Sequence, residues 1–311
     1  MERKKIIVIG SVNNDLVIGV NKAPVLGETV LGSGFIQVSG GKGANQAVAC
    51  ARLGADVTFI GAVGDDSFGS LLINNLKDNN VFTGCMKAVP HHPTGTAMII
   101  VYGGDNYIAV DQGANLTVDK PQIDAAEQWI KDADMAVLQL EIPYDTVWYA
   151  IGRCKTFGIP VLLNPAPAPA QPLSRELLSM VDLLTPNESE TFALTGIKPS
   201  SPEEAVRAAK RLSGLGAKQV VITLGGDGCV YGSDMEFRHM PAIKADKVVD
   251  TTAAGDAFTA ALAVALTNGW PLEEAAAFAT KAGAITVTQK GAQPSLPYLD
   301  DVYRQNIQIH Y

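Results

Sequence analysis

Short apolar runs that alternate with longer helical patterns limit the folds open to this chain more than any other feature. The apolar runs fall at 6–9, 57–60, 135–140, 160–163, 183–185 and 220–224. Helical patterns occupy 44–52, 68–79, 123–131, 145–157 and 202–212. Strands buried on both faces are apolar at nearly every position, and this alternation is typical of a mainly parallel sheet between layers of helices. The sequence therefore predicts a three-layer, Rossmann-like α/β fold.

Two stretches, at about 12–39 and 95–111, interrupt this alternation. In the second, the apolar runs 97–101 and 107–110 flank Gly103-Gly104-Asp105, a pattern that indicates a β-hairpin. We expect the two insertions to form a small second sheet that acts as a lid over a cleft. Because no low-complexity linker divides the chain, residues 1–311 are interpreted as a single domain.

Charge and cysteine content narrow the cellular setting and the partners. The formal net charge is -8, whereas proteins that bind a nucleic-acid backbone usually carry a basic patch, so no nucleic-acid partner is expected. The four cysteines show no metal-ligand spacing and fit a reducing compartment. The apolar run after the charged start is too short for a signal peptide or a membrane span, which predicts a cytoplasmic protein without a membrane partner.

Small residues open a long apolar helical pattern in the segment Asp250-Thr251-Thr252-Ala253-Ala254-Gly255-Asp256. Bare backbone amides at a helix N-terminus attract phosphate, and the positive end of the helix dipole adds to that attraction. Asp256 lies in the same first turn, where a carboxylate could take the proton of an attacking hydroxyl. The alternative is that Asp256 only stabilises the helix N-terminus while the small residues serve close packing.

Two further motifs follow predicted strands. Gly225 and Gly228 come directly after the run 220–224, where glycines let the backbone wrap around a nucleotide or simply make a tight turn. Asn187 and Glu190 have the spacing of a capping box at a helix start. They could instead position magnesium and its waters on nucleotide phosphates.

Polar residues near the start of the chain favour a sugar site. Asn13 and Asp15 follow the first predicted strand, at the edge where open α/β sheets bind ligands, and they could bond sugar hydroxyls or merely form a turn. The segment Gly40-Gly41-Lys42-Gly43-Ala44-Asn45-Gln46-Ala47 then opens a helix. It is not a Walker A loop, because no glycine stands five residues before Gly41. Its glycines let the backbone approach a small ligand, and Lys42 and Asn45 offer donors, although a lone lysine can also be simply solvated.

Together these motifs resemble the ribokinase family of sugar kinases over nearly the whole chain. The segments 40–47 and 250–256 carry most of the resemblance, and Asn-Pro-Ala-Pro-Ala at 164–168, Thr-Pro-Asn-Glu-Ser-Glu at 185–190 and Lys-Gly-Ala-Gln-Pro-Ser at 290–295 are also similar. The resemblance implies an ATP-dependent kinase that uses magnesium and is activated by potassium. Its expected reaction is phosphorylation of the primary 5-hydroxyl of D-ribose to give ribose 5-phosphate.

The resemblance also implies a role for each matching residue. Asp256 would be the catalytic base, and the backbone of Ala253, Ala254 and Gly255 would form the anion hole for the transferred group. Ribose would be bound by Asn13, Asp15, Gly41, Lys42, Asn45, Glu141 and Asp256. ATP would be held by Asn187, Thr223, Gly225, Gly228, Ala254 and Gly255. Glu190 would face magnesium indirectly, and potassium would bind at Asp250, Thr252, Thr286, Gln289, Gly291 and Ser295.

The chain departs from the family pattern at a few positions. Ala253 stands where many members have glycine, and Gln289 stands where arginine is frequent, a change that a backbone contact would survive. His91-His92 has no counterpart with a role and is interpreted as part of an exposed loop. The lid strands of this family often pair between subunits, which implies a homodimer.

Other functions stay open at this point. A kinase of the same family could act on deoxyribose, another small sugar or a nucleoside. A non-catalytic sugar-binding regulator is a different class of function, and Asp256 argues against it because binding alone needs no base. A Rossmann dehydrogenase is rejected, since the glycine-rich fingerprint does not continue from Gly10.

Overall fold

The computed structural model describes residues 3–103 and 105–304 and divides them between strands and helices in the predicted alternation. The strands are β1 (Lys5–Ile9), β2 (Asn13–Val20), β3 (Gly32–Gly40), β4 (Asp56–Ile60), β5 (Ala62–Gly64), β6 (Val81–Phe82), β7 (Lys87–Val89), β8 (Thr96–Tyr102), β9 (Asp105–Asp111), β10 (Met135–Leu138), β11 (Val161–Leu163), β12 (Leu183–Leu184), β13 (Gln219–Thr223), β14 (Cys229–Ser233) and β15 (Glu236–Met240). The helices are α1 (Lys42–Arg52), α2 (Ser67–Asp78), α3 (Lys120–Ala125), α4 (Glu127–Lys131), α5 (Tyr144–Thr156), α6 (Arg175–Met180), α7 (Glu188–Thr195), α8 (Pro202–Gly214), α9 (Ala254–Thr267), α10 (Leu272–Thr286), α11 (Ala292–Ser295) and α12 (Leu299–Arg304).

A nine-stranded sheet lies at the centre, in the order β15-β14-β13-β12-β11-β10-β1-β4-β6. The strands from β13 to β6 pair in parallel, and β14 and β15 extend one edge as antiparallel strands. Every apolar run predicted as a strand lies in this sheet. The prediction of a mainly parallel α/β sheet is confirmed.

Helices cover both faces of the central sheet, and successive residues of β1 point to opposite sides. Ile6 and Val8 pack into a core with α1, α9 and α10. Ile7 and Ile9 pack into a second core with α3, α5 and α8. All four side chains are at most 1% exposed, which explains why this strand has no polar position in its centre.

A separate four-stranded sheet has the order β3-β2-β8-β9. Strand β2 pairs antiparallel with β3 and parallel with β8, and β8 and β9 form the predicted hairpin. This small sheet begins close to the carboxyl end of β1, because β2 starts four residues after β1 ends. The prediction of a second sheet is therefore confirmed, while its function as a lid stays a prediction.

Some element boundaries differ from the sequence prediction. The helix predicted at 123–131 is two helices, α3 and α4, because Ala126 between them leaves helical geometry (φ -93°, ψ 9°). The strand predicted to reach residue 140 ends at Leu138, so the polar residues that follow lie at the edge of the sheet. His91 and His92 are exposed before β8, as expected. Within the described ranges, no helix combines the length and apolarity that crossing a bilayer requires.

Candidate functional site

The first turn of α9 lies at the centre of the candidate site. Its N-cap residue, Ala253, has left-handed backbone angles (φ 61°, ψ 7°) and provides no side-chain hydrogen bond to the helix. The Ala254 amide turns back to the Thr251 carbonyl oxygen (3.3 Å). The next two amides, of Gly255 and Asp256, have no carbonyl partner within the helix. Because they lie at the positive end of the helix dipole, they can bind the oxygens of a phosphoryl group.

The Asp256 side chain is buried and held by two amides from a neighbouring helix. Its Oδ2 accepts a hydrogen bond from Asn45 Nδ2 and its Oδ1 accepts one from Gln46 Nε2, each at 2.9 Å. The carboxylate is thus fixed by α1, not only by the helix that carries it. Burial raises the pKa of Asp256 above its ordinary value, and the Lys42 charge and the two amides oppose this rise. A buried, oriented carboxylate of this kind can accept a proton from a nearby hydroxyl.

Glu141 closes the site from the carboxyl end of β10. Its Oε2 accepts hydrogen bonds from Ser11 Oγ (2.5 Å) and from the Lys42 backbone amide (3.1 Å). These contacts join the loop after β1, the start of α1 and the end of β10 in one place. The convergence follows from the parallel sheet, since the carboxyl ends of its strands share one edge.

Asp15, in β2 of the second sheet, lies near the carboxylates of Glu141 and Asp256. Burial, together with the charges of Glu141 and Asp256, raises its pKa to about 7. Asp15 lies against Gly40, where an added Cβ would come within 2.1 Å of its Oδ2. The second sheet therefore brings an acidic group of unusually high pKa to the mouth of the site.

Lys42 is the cation of this acidic cluster. Burial lowers its pKa, but the charges of Asp256, Glu141 and Glu190 outweigh that effect and leave the pKa raised. The ammonium group therefore stays charged and interacts with three acidic residues from three different elements. The interpretation of Lys42 as an ordinary solvated lysine does not fit these surroundings.

Asn13 is positioned by a residue that sequence reasoning missed. The Oδ1 of Asn13 accepts a hydrogen bond from Asn115 Nδ2 (2.8 Å). Asn115 is itself fixed, because its Oδ1 accepts from the Val12 amide (2.9 Å) and its Nδ2 donates to the Val12 carbonyl oxygen (3.1 Å). The side-chain carbonyl of Asn13 is thus engaged by Asn115, and Asn13 keeps its NH2 group for a ligand. The short polar segment after β9 carried no sequence signal for this role.

The capping box predicted at the start of α7 is confirmed. Asn187 Oδ1 accepts from the Glu190 amide, and Glu190 Oε2 accepts from the Asn187 amide, each at 2.9 Å. Glu190 is only 3% exposed, and burial raises its pKa. The charges of Lys42 and Asp256 also act on that pKa, so Glu190 lies close to the acidic cluster. The turn at Asn187 and Glu190 therefore caps α7 and also lies beside the acidic cluster.

The glycine-rich loop after β13 lies beside the turn at Asn187. The Thr223 amide donates to the Pro186 carbonyl oxygen (3.0 Å), which links the two strand ends. Gly228 has backbone angles of φ 93° and ψ -128°, and an added Cβ would lie 2.1 Å from the Met240 carbonyl oxygen. The hydrogen bonds within the described ranges do not join Gly225 or Gly228 directly to the Asp256 cluster.

The residues of the predicted cation site lie on two segments that meet. Asp250 Oδ1 accepts from Thr252 Oγ1 (2.6 Å), and its Oδ2 accepts from the Gly291 amide (2.8 Å). Other predicted members follow the same second segment: the Gln289 amide donates to the Thr286 carbonyl oxygen (3.2 Å), and Ser295 Oγ donates to the Ala292 carbonyl oxygen (2.7 Å). Across residues 3–103 and 105–304, no three His, Cys, Asp or Glu side chains are grouped as a metal site.

Three further polar residues are linked to Asp256 through hydrogen bonds without having been assigned a role from the sequence. Gln46 belongs to the quoted segment 40–47, and Asn164 opens the segment 164–168. Gln139 follows directly after β10, and a polar residue at the carboxyl end of a parallel strand was the signal that could have identified it. All three belong to one hydrogen-bonded network with the carboxylate.

Known proteins are similar to this chain over nearly its whole length. A family model described as pfkB family carbohydrate kinase matches residues 3–299. Ribokinase from Bacillus subtilis is 42% identical over 299 residues, which cover 96% of this chain and 98% of that protein. Ribokinase from Schizosaccharomyces pombe is 42% identical over 308 residues, covering 96% of each. The structure of Arabidopsis thaliana ribokinase complexed with ribose and ATP matches with a TM-score of 0.88 at 34% identity, covering 98% of each chain.

Proposed function

The chain belongs to the pfkB family of carbohydrate kinases, and we propose that it transfers the γ-phosphoryl group of ATP to the primary 5-hydroxyl of D-ribose. The products are ribose 5-phosphate and ADP. The observation that carries this function is the position of Asp256, a buried carboxylate in the first turn of a helix whose amides are free to bind phosphoryl oxygens. Base and anion hole are thereby supplied by the same turn.

The reaction needs one proton acceptor and one place for the growing negative charge. Asp256 accepts the proton of the 5-hydroxyl as the hydroxyl oxygen forms its bond to the γ-phosphorus. The bond between that phosphorus and the bridging oxygen breaks, and ADP leaves with the electron pair. The amides of Gly255 and Asp256 stabilise the charge on the transferred group. The proton on Asp256 is then released to solvent as the product leaves.

Ribose is the substrate best supported. The relatives at about 40% identity are ribokinases, and the similar Arabidopsis structure contains ribose and ATP. The groups that would bind the sugar are Asn13, Asp15, Gly41, Lys42, Asn45 and Glu141, which combine carboxylates with amide and ammonium donors suited to several hydroxyls. Deoxyribose, another small sugar or a nucleoside is the alternative within the family. A non-catalytic regulator would leave the buried base without a purpose.

The charge balance of the site favours magnesium as the partner of ATP. Lys42 lies among the carboxylates of Asp256, Glu141 and Glu190, and Asp15 lies near two of these, so a triphosphate would meet a predominantly acidic cluster. A bound divalent cation supplies charge neutralisation on phosphate oxygens. Both Glu190 oxygens already bond Asn187, which suits contact through water better than direct ligation. ATP itself would lie along Asn187, Thr223, Gly225, Gly228, Ala254 and Gly255.

A potassium site is proposed at the two segments that meet around Asp250. Carbonyl and carboxylate oxygens are the donors that hard cations prefer, and several of the ligands here would be backbone carbonyls. The residues would be Asp250, Thr252, Thr286, Gln289, Gly291 and Ser295. This position next to the α9 N-terminus would let the ion support the backbone of the anion hole.

The second sheet is proposed to act as a lid within a single-domain subunit and to form the contact of a homodimer. It places Asn13 and Asp15 at the site and exposes several apolar side chains, among them Met98 (62%), Ile108 (55%) and Val110 (52%). An exposed sheet with such residues gains stability when it is covered. Sedimentation should give the mass of a dimer, and Ile108→Lys should give monomers. A monomeric parent protein would contradict the dimer.

A cytoplasmic location is proposed from the cysteines. Cys50, Cys85, Cys154 and Cys229 are all free, and three of them are buried. Free thiols fit a reducing compartment.

One assay tests the function and the base together. A coupled ADP assay with ribose, deoxyribose, fructose and a nucleoside, with and without potassium, should show the highest kcat/KM for ribose. Asp256→Asn should lower kcat by at least about 100-fold, the lower end for a positioned general base, with little change in ribose binding. Asp300→Asn, an exposed change in α12, is the matched control. Wild-type kcat in Asp256→Asn would remove the assigned base.

A further inference from the structure

A network of side-chain amides extends from Asp256 into the protein. Gln46 Nε2 donates both to Asp256 Oδ1 (2.9 Å) and to Asn164 Oδ1 (3.2 Å). Gln46 Oε1 accepts from Gln139 Nε2 (2.6 Å). Gln46 and Gln139 are both completely buried. None of these three amides belongs to the groups that would bind sugar or nucleotide.

The direction of every hydrogen bond in this network is set by one backbone carbonyl. Asn164 Nδ2 donates to the Thr185 carbonyl oxygen (2.7 Å), a group that can only accept. Asn164 must therefore present its Oδ1 to Gln46, and Gln46 must present its NH2 group to both Asn164 and Asp256. A reversed Gln46 amide would place its oxygen against two acceptors and its NH2 group against the donor of Gln139.

The Gln139 side chain has little freedom to move away from Gln46. Its Oε1 lies against Gly10, where an added Cβ would be only 1.9 Å away. The same oxygen has no hydrogen-bond partner among the described residues, so the side chain is held by packing and by its single bond to Gln46. The Gln139 donor thus fixes the oxygen end of Gln46, and Asn164 fixes the nitrogen end.

We propose that Gln46, oriented by Gln139 and Asn164, is a positioning residue that keeps the Asp256 carboxylate ionised and aimed at the hydroxyl to be phosphorylated. The proposal rests on the proposed kinase function. Gln46 donates a hydrogen bond that favours the charged form of a carboxylate. Because the Gln46 side chain is a neutral amide, it has no ionisable proton to transfer to the Asp256 carboxylate. Burial disfavours the charged form of Asp256, and the donated hydrogen bonds oppose that effect.

The test is the pH dependence of kcat with ribose and ATP. Gln46→Met keeps the approximate length of the side chain and removes both donor and acceptor. We expect the acidic limb of the kcat profile to move upward by about one pH unit, because one hydrogen bond to the charged form is lost. The loss of kcat should therefore be largest at low pH and smaller at high pH, with the KM for ATP little changed. Gln139→Met should shift the same limb by less, because it only frees Gln46 to turn.

A matched control separates this role from general damage to the core. Gln122 also donates its amide to backbone carbonyls, of Gly61 and Cys85, but lies in α3 away from Asp256. Gln122→Met should leave the pH profile unchanged even if it lowers the melting temperature. A folded Gln46→Met protein whose acidic limb coincides with the wild type overturns the proposal. If Gln46→Met does not fold, Gln139→Met and Asn164→Ala decide by the same criterion.

A readout without turnover keeps this inference apart from the proposed function. Carbon-13 spectra of protein labelled at the aspartate carboxyl groups, with the Asp256 signal assigned from Asp256→Asn, report its pKa directly. Gln46→Met should raise that pKa by about one unit, and an unchanged value contradicts the positioning role. A wild-type enzyme that phosphorylates no sugar would instead overturn the kinase function and leave this titration as the test of Gln46.

Discussion

The two halves of the candidate site present different kinds of groups, side chains in one half and backbone amides in the other. In the half proposed to bind the sugar, the groups are side chains: Asp15 and Glu141 are carboxylates and Asn13 is an amide, and Glu141 and Asn13 are held by hydrogen bonds from Ser11 and Asn115. In the half proposed to bind the phosphates, the groups are backbone amides at Gly255 and in the loop that ends at Gly228, with few side chains beyond small ones. Asp256 lies where the halves meet.

This difference follows from what each half must recognise. Sugar hydroxyls are neutral and directional, so they require donors and acceptors at defined positions. Phosphate oxygens carry charge and accept from any amide that comes close, so small residues and helix dipoles suffice. The sugar half should therefore be sensitive to side-chain chemistry, and the phosphate half to backbone shape.

The largest effect on substrate affinity is expected from Asp15→Ala, which removes a carboxylate of the proposed sugar half. Hydrogen bonds to charged groups contribute about 1.5–3 kcal/mol, so the KM for ribose should rise about 10- to 100-fold. The KM for ATP should stay close to the wild-type value. Steady-state kinetics with each substrate varied in turn measures both. Asp78→Ala, an exposed change at the end of α2, is the control. An unchanged ribose KM would remove Asp15 from the sugar half.

The next largest effect is expected from Gly228→Ala, which tests the backbone half. At φ 93° and ψ -128° an alanine is strained, and its Cβ would overlap the Met240 carbonyl oxygen. Strain of this kind costs of order 1–3 kcal/mol, so the KM for ATP should rise about tenfold while ribose binding is retained. Gly226→Ala is the matched control, because Gly226 lies in the same loop without a left-handed φ and no atom lies within 4 Å of its added Cβ. Equal effects from the two variants would contradict a shape-dependent loop.

A pH effect of about tenfold is expected in the sugar half. Burial raises the pKa of Asp15 to about 7 in the free protein, so the ionised acceptor is lost as the pH falls below 7. The Kd for ribose, measured by calorimetry, should be about tenfold higher at pH 6 than at pH 8. In Asp15→Asn this dependence should be nearly flat. The same dependence in wild type and Asp15→Asn would assign it to another group.

The raised pKa of Asp15 also predicts the direction of a stability change. Between its ordinary value of 3.8 and about 7, the folded protein holds a proton that the unfolded chain has lost. The free energy of unfolding should therefore fall as the pH rises through this interval. Asp15→Asn should unfold at a higher temperature than the wild type at pH 8, with the difference absent at pH 4.

Sequence reasoning succeeded where the type of a residue by itself indicates its structural or chemical role. The apolar runs predicted the strands of the central sheet, because a strand covered on both faces tolerates no polar residue in its centre. Asp256, Lys42 and Asn45 were identified from two short motifs, and the structure places Lys42 and Asn45 beside the Asp256 carboxylate.

What sequence reasoning missed depends on contacts between distant segments. Gln46, Gln139 and Asn164 meet only after two strand ends and a helix are assembled, and no local pattern records that meeting. Likewise, Ala126 interrupts a continuous helical pattern although alanine favours helices, so the break between α3 and α4 has no local signal.

The smallest effect is expected from Ala253→Gly, at the boundary of the backbone half. Ala253 has φ 61°, a left-handed conformation that costs alanine about 1–2 kcal/mol and glycine almost nothing. The greater freedom of glycine in the unfolded chain offsets about 0.5–1 kcal/mol of that gain. The free energy of unfolding, from urea titration, should therefore rise by no more than about 1 kcal/mol. Because the proposed anion hole uses backbone amides, kcat should change little. A large loss of kcat would mean that the Ala253 methyl group itself positions the turn, and that the phosphate half depends on a side chain after all.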